Sequence, residues 1–370
     1  MISSLFIIRI IAILLIVNSH LSSIYPFPAL SFGGHLGNSI FYLISGYGLS
    51  LSYQHQPLTI VKWFKKRFIK ILIPLIIILG ILNIGDLKGL QNDIWWQIIW
   101  HSSKQLELFL PVLLVLYVFF LPLNALLKKQ YIIYSFAFII ILPAILFFIR
   151  MNSGEPYRGD LPSEGIFFSV NALACFIFGI MFSKVELGKI SRTLSLTHIK
   201  LLLIIVGSQI IHKLMTTYFL NLIWINFYLN FLCVAAIFLL FISINFQLSI
   251  DGFNILKGIA TSSLAIYLVQ FKIIMLAEHI KINFPYSILF VFVHSLLWAY
   301  AVSLFIEILS KKILNKVLHT VDWYKILNAL HWLWTWFDEK FFSIAHLPFG
   351  FYINWYVNGP PSFGPGFIIK

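Results

Sequence analysis

The sequence predicts an all-α fold: a polytopic membrane helix bundle of about ten transmembrane helices, with both termini cytoplasmic. Three observations predict it. Of the 370 residues, 60% are hydrophobic and 11% charged, whereas a soluble globular domain carries about 25% charge. The mean hydropathy is +0.92. Apolar runs of about 20 residues, the length that crosses a bilayer, recur between short polar segments whose content of Lys and Arg alternates.

The runs fall roughly at 5–24, 36–53, 68–83, 108–127, 131–149, 165–183, 200–220, 223–246, 258–278 and 285–309. The first is too long for a removable signal peptide and lacks its small-residue cleavage site, so it reads as a mature span. The second, FGGHLGNSIFYLISGYGLSLSY, carries glycines at 33, 34, 37, 46 and 48, which allow close helix approach or a locally broken helix. KWFKKRFIKILIP leads into the third. Residues 83–107 place Trp95, Trp96 and Trp100 between polar flanks, the pattern of a helix at the outer interface. RMNSGEPYRGDLPSEG, residues 150–165, is a polar, turn-rich loop suited to border a hydrophilic substrate. The membrane domain is assigned to residues 1–316 and an aromatic-rich tail to 317–370, where HWLWTWFDEKFF reads as an interfacial helix and NGPPSFGPGFIIK as irregular.

Orientation follows from the loops. One alternating set holds Lys62, Lys65, Lys66, Arg67, Lys70, Lys128, Lys129, Lys184, Lys189, Arg192, Lys200, Lys257, Lys311, Lys312 and Lys316. The other holds only Lys88, Lys104, Arg150, Arg158 and Lys281. The richer set is therefore placed in the cytoplasm, which makes the chain a multi-pass protein of the inner or plasma membrane. The net charge of +13 is explained by these loops. A nucleic-acid partner is excluded because the basic residues form no solvated face; membrane lipids are the expected surroundings. Cys175 and Cys233 lie in apolar runs without metal-ligand spacing, so neither a disulfide framework nor a metal is expected.

RIIAILLIVNSH, residues 9–20, sets two polar groups in one apolar run. Arg9 and His20 are eleven residues apart, three helical turns plus about 20°, so they share one face with a rise of about 16 Å between them. A lone arginine there snorkels to the phosphate layer, but ionisable groups within spans are functional-site candidates by default. The KKRFIK cluster serves either topology alone or an anionic, phosphorylated cofactor.

The order Arg9, ten residues, His20, then GGHLGNSIFYLISGY and KKRFIKILIP resembles the acyltransferase-3 family of integral membrane acyltransferases. The likeness continues through LELFLPVLLVLY, IATSSLAIYLVQ and LFIEILSKK, and so covers roughly residues 5–312. The resemblance implies transfer of an acyl group, usually acetyl, from a cytoplasmic acyl-CoA donor to a hydroxyl of an extracytoplasmic or lipid-linked glycan. It maps the family's arginine and histidine onto Arg9 and His20. The serine-glycine-aromatic motif falls on Ser45, Gly46 and Tyr47, and the basic stretch on Lys65, Lys66, Arg67 and Lys70. Two departures stand out: the family's ninth-span motif commonly ends in His where this chain has Gln270, and a common Trp is replaced by Leu108.

An imidazole has an ordinary pKa of about 6.5 and is largely neutral at pH 7; a base within reach of a sugar hydroxyl accelerates acyl transfer by about 10²- to 10⁴-fold. His20 is the candidate base. Arg9 and the basic cluster are the candidate holders of the donor's phosphates, with the thioester deeper, toward His20. His35, in the GGHLG turn, and Glu107, at the outer edge, are candidates for holding the acceptor; each also has a plainer reading as a turn histidine and a solvated carboxylate. The rival from another class is a glycan or lipid-linked sugar transporter or flippase, which moves its substrate without covalent change. A glycosyltransferase needs acidic residues in the first outer loop, and LSSIYPFPALSFGGH has none. In a membrane acyltransferase of the other large type, a late-span histidine would act, here His294.

Overall fold

The computed structural model describes residues 2–27, 30–55, 63, 71, 75, 109–127, 141, 162–185, 197–218, 223–244, 246 and 249–320. Among them are nine helices and no strand: α1 (Ile2–Ser19), α2 (Gly34–His55), α3 (Phe109–Leu126), α4 (Pro162–Lys184), α5 (His198–Tyr218), α6 (Ile223–Ser243), α7 (Ile250–Thr261), α8 (Ser263–His279) and α9 (Tyr286–Thr320). Stretches of α3, α6 and α9 are long and apolar enough to cross a membrane, and α7 with α8, bent by 63° at their break, adds a fourth if the pair counts as one span. The predicted spans at 68–83 and 131–149, the Trp-rich segment 83–107 and the tail beyond 320 lie outside the described residues. The chain divides into two units, residues 1–52 with 77–303, and 53–76 with 304–370. The first holds the packed helices considered below; the described part of the second is chiefly the last turn of α2 and the later turns of α9.

α2 is the central helix of the first unit, with every residue from Leu36 to Tyr47 buried. Glycine makes that position accessible. A Cβ on Gly37 would stand 2.6 Å from the Ala12 carbonyl oxygen of α1. One on Gly46 would collide with the carbonyl oxygen of Phe176 in α4, and one on Gly179 of α4 with that of Leu43. Helices that lack side chains at their crossing approach until backbones touch, the favoured way to gain packing where lipid supplies no hydrophobic drive. Gly33, with φ of +98°, adopts a conformation other residues rarely take and turns the chain into α2.

Contacts along their lengths give the helix directions. α2 runs antiparallel to α1, since Gly34 meets Ser19 and Gly37 meets Ala12. It runs parallel to α3, where Tyr42 donates to the Phe109 carbonyl (2.9 Å) and Ser50 to the Asn124 Oδ1 (3.2 Å). It is also parallel to α4 and α6, for Asn171 and Asn230 both reach Ser39, and Tyr47 meets Phe238. α5 and α6 form an antiparallel pair around Leu201, Ala236 and Leu240.

Two boundaries differ from expectation. α1 ends at Ser19 rather than near residue 24, because Asn18 donates to the carbonyls of Leu30 (2.9 Å) and Phe32 (3.0 Å) and draws the following loop back over the helix end. The single ninth span is broken at Ser262. There Thr261 turns its hydroxyl onto the carbonyls of Lys257 and Gly258, both at 2.9 Å, and Ser303 of α9 donates to the Ser262 hydroxyl at 3.0 Å; such back-bonding bends helices. α9 runs to Thr320.

The crossing of α2 and α4 yields a test. Gly179→Val forces the two backbones apart and is expected to lower folded yield and thermal stability sharply, by more than the usual overpacking cost of about 1–3 kcal/mol. Gly48→Ala, where a Cβ meets nothing within 4 Å, is expected to leave both unchanged. Thermal unfolding of the detergent-purified variants measures the difference.

Candidate functional site

The site is built on α1. Arg9 lies half-buried, its guanidinium carbon 5.0 Å from the centre of the Phe41 ring of α2, a cation–π distance. His20 stands in the turn just past the helix, its N–H donating to the Val17 carbonyl at 3.1 Å. Its ring packs edge-on against Phe271 of α8 at 4.7 Å. The loop behind it is held by Asn18, which also accepts from the Tyr25 hydroxyl at 2.6 Å. Burial raises the Tyr25 phenol above its ordinary value, so it remains a donor throughout the neutral range.

Between these two groups runs an unbroken series of aromatic rings. Phe41 meets Phe109 of α3 (5.3 Å), Phe109 meets Tyr267 of α8 (4.9 Å), and Tyr267 meets Phe271 (6.1 Å). Arg9 touches the first ring and His20 the last. Three helices from distant parts of the chain thus supply one aromatic wall that reaches from Arg9 on α1 to His20 just past its end. Edge-to-face and tilted pairs at these separations favour the quadrupoles of the rings, and the wall excludes water.

Two kinds of buried polar group surround this wall. On the α4 and α6 side of α2, hydrogen bonds are satisfied: Asn171 and Asn230 donate to the Ser39 hydroxyl (2.6 and 2.8 Å), and Ser39 donates to the His35 carbonyl (2.7 Å). At the far end of the same helices Ser183 donates to Ser50 at 2.6 Å, and Lys184 closes the α3 terminus by donating to the carbonyls of Asn124 (2.6 Å) and Leu127 (2.9 Å). On the other side, the Oδ1 of Asn38 and the hydroxyl of Ser45 are buried without a hydrogen-bond partner. Asn38, Phe41 and Ser45 follow the i, i+3, i+7 spacing of one helical stripe, the stripe whose ring faces Arg9. In α8, Gln270 is 0% exposed and neither atom of its amide has a partner.

The aromatic wall therefore links Arg9 to His20, and Ser45 shares the α2 stripe of Phe41, the ring that Arg9 touches; the other expected residues among those described stand elsewhere. Gly46 is a contact point with α4, and Tyr47 packs its buried ring against Phe238 of α6 at 5.0 Å. His35 is exposed at the start of α2, 6.3 Å from the Phe168 ring. Lys65, Lys66, Arg67, Lys70 and Glu107 lie outside the described residues. His294 is held by its own helix, Nδ1 at 2.9 Å from the Phe290 carbonyl and its ring stacked on Phe290. Sequence reasoning passed over Asn38 and the four rings of the wall, and met Gln270 only as a departure from the family's motif; the signal available was a polar amide within an otherwise apolar stripe.

A family model described as an acyltransferase domain, acyltransferase-3, matches residues 2–307. The chain belongs to the acyltransferase-3 family. No curated protein and no solved structure matches it. As an acyltransferase-3 protein it is a membrane-embedded acyltransferase, and the matched segment includes every side chain of the wall and both groups it connects. Among the described residues no three His, Cys, Asp or Glu side chains gather as metal ligands.

Phe109, 1% exposed, holds the wall together because it touches Phe41, Tyr42 and Tyr267. Phe109→Ala is expected to destabilise the acyltransferase-3 domain by about 3–5 kcal/mol, and Phe109→Leu by much less. Thermal unfolding in detergent reads both.

Proposed function

We propose that this acyltransferase-3 protein is a membrane O-acyltransferase that moves acetyl from cytoplasmic acetyl-CoA, or another acyl-CoA, to a hydroxyl of a cell-surface or lipid-linked polysaccharide, with His20 as general base. The observation that carries the reading is the aromatic wall with Arg9 at one end and His20 at the other. An elongated donor with a charged head and an apolar, amide-containing arm fits such a surface: phosphates at Arg9, arm along the rings, thioester at His20. Lys65, Lys66, Arg67 and Lys70 add their charge at the head in this proposal, and Ser45, one turn beyond Phe41 on the Arg9-facing stripe of α2, adds a hydroxyl at that same end.

The helix directions support donor entry from the cytoplasm. Because α2, α3 and α4 run opposite to α1, the Arg9 end of α1 lies at the same end as Lys184 and the C-terminus of α3, which Lys128 and Lys129 follow in sequence. Basic residues gather on the cytoplasmic side of membrane proteins. The same directions support the ten-span reading, for two parallel helices in a membrane are separated by an odd number of crossings, and α2, α3 and α4 are mutually parallel.

His20 takes the proton of the acceptor hydroxyl as its oxygen attacks the thioester carbon. Its position at the helix end, away from Arg9, leaves the acceptor to approach from the outer face, past His35. His20→Ala is expected to reduce acylation at least about a hundredfold while membrane abundance stays at the wild-type level; quantitative mass spectrometry of surface glycan esters in cells carrying each form measures it, and unchanged esters refute the base. A transporter would leave no ester to lose. Arg9→Ala is expected instead to raise the KM for acetyl-CoA by about tenfold to a hundredfold, the worth of hydrogen bonds to a charged group, with purified enzyme in liposomes as the assay. An unaltered donor KM would overturn the threading of the donor along α1.

A further inference from the structure

The mechanism just given leaves a fully buried amide without a task. Gln270 is fully buried, and among the described residues it is the only side chain with two unpartnered buried polar atoms. A carboxamide in that condition has given up its bonds to water and gained none in exchange. An apolar side chain would fill the same space at lower cost, so packing does not account for it. Its place is informative. Gln270 precedes Phe271, the ring that meets His20, and adjacent Cα atoms are about 3.8 Å apart; it follows Tyr267, the previous ring of the wall, by three residues. On the helical wheel it lies about 60° from Tyr267 and about 100° from Phe271, within the buried arc that also holds Ser263, Ile274 and Ala277. α8 packs directly on α1.

Resting on the acyl-transfer reading above, we propose that the Gln270 carboxamide is a catalytic hydrogen-bond donor to the acyl carbonyl oxygen, the oxyanion-stabilising group of the reaction. The acceptor hydroxyl gives its proton to the His20 imidazole while its oxygen forms the new C–O bond to the thioester carbon. The carbonyl π pair moves onto the carbonyl oxygen, and this oxyanion accepts a hydrogen bond from the Gln270 Nε2–H. When the carbonyl re-forms, the C–S bond breaks with its electron pair on sulfur, and the thiolate takes the proton back from the imidazolium. Ester and free thiol leave, and His20 is neutral again. An unpartnered donor in a dry site is suited to this, because it needs no reorganisation as the negative charge appears. The orphaned amide is thus satisfied only when the reaction is under way.

The test uses the full-length protein in liposomes, with acetyl-CoA as donor and chemically de-esterified surface polysaccharide of the host as acceptor, and follows thiol release together with ester mass. Gln270→Met, nearly the same shape without the amide, is expected to keep or raise the thermal midpoint, hold both KM values within about twofold, and lower kcat by about 10²- to 10³-fold. Gln270→His, which restores an N–H donor, is expected to recover part of that loss. A Met variant with kcat within threefold of wild type overturns the proposal, as does a raised KM at unchanged kcat, which would make the amide a ground-state binding group. A Met variant that loses stability or fails to fold also overturns it, since it would show the amide to be structural. If the wild-type protein itself forms no ester, it is the glycan-acylation reading that falls.

Discussion

The backbone contact of α2 with α1 and α4 at Gly37, Gly46 and Gly179 sets the rest of the arrangement. In lipid, apolar side chains gain little by leaving their surroundings for one another, so helices associate through close packing and internal hydrogen bonds. Three glycines let the α2 backbone lie against two neighbours at once. Every other placement follows from that proximity: Phe41 comes over Arg9 because Gly37, one turn away, lets α2 sit on α1, and Ser39 meets Asn171 because Gly46 and Gly179 let α4 approach from the other side. Bulk at any of these points would move the aromatic wall and the amide cluster together.

α2 consequently has two polar faces with opposite characters. Ser39 and Ser50, toward α4 and α6, are bonded within clusters that lock three helices in register. The Asn38 Oδ1 and the Ser45 hydroxyl, on the stripe that faces Arg9, lack hydrogen-bond partners. Polar groups that serve only the fold are expected to be paired, since an unpaired one destabilises it. Those left unpaired on the Arg9 side are consistent with the proposed donor lying there. The division explains why the serine-glycine-tyrosine motif does not act as a unit. Consecutive residues of a helix point about 100° apart, so Ser45 faces the site, Gly46 the α4 backbone and Tyr47 the α6 ring.

Much of this was legible in the sequence. The glycine spacing of the second span announced close packing, whereas the helical periodicity that put Arg9 and His20 on one face stops at Ser19, one residue short of the histidine. The partners of those groups were not legible, because Phe41, Phe109, Tyr267 and Phe271 are scattered over 230 positions and nothing local distinguishes them from any other aromatic residue in a chain with 37 Phe. The end of α1 was misplaced by hydropathy, which counts Leu21 as membrane core; Leu21 is indeed buried, but in a turn held by Asn18. Gln270 looked like a departure from a motif. Only its burial without partners gives it meaning.

The break at Ser262 also acquires a reason from α1. Phe6 near the start of α1 meets Phe253 of α7 at 5.5 Å, and His20 at its end meets Phe271 of α8. At 1.5 Å per residue those two points on α1 are about 21 Å apart, whereas a straight helix from 253 to 271 would span about 27 Å. Bent by 63° at its middle, the same segment spans about 23 Å, counting two arms of about 13.5 Å each. The bend brings the two helices into a common register, so that one connected segment touches α1 at both ends. A straight ninth span would exceed the spacing on α1 by about 6 Å, the bent one by about 2 Å. The serines and threonine that break it are therefore what places Phe271 beside the histidine, and Gln270 with it.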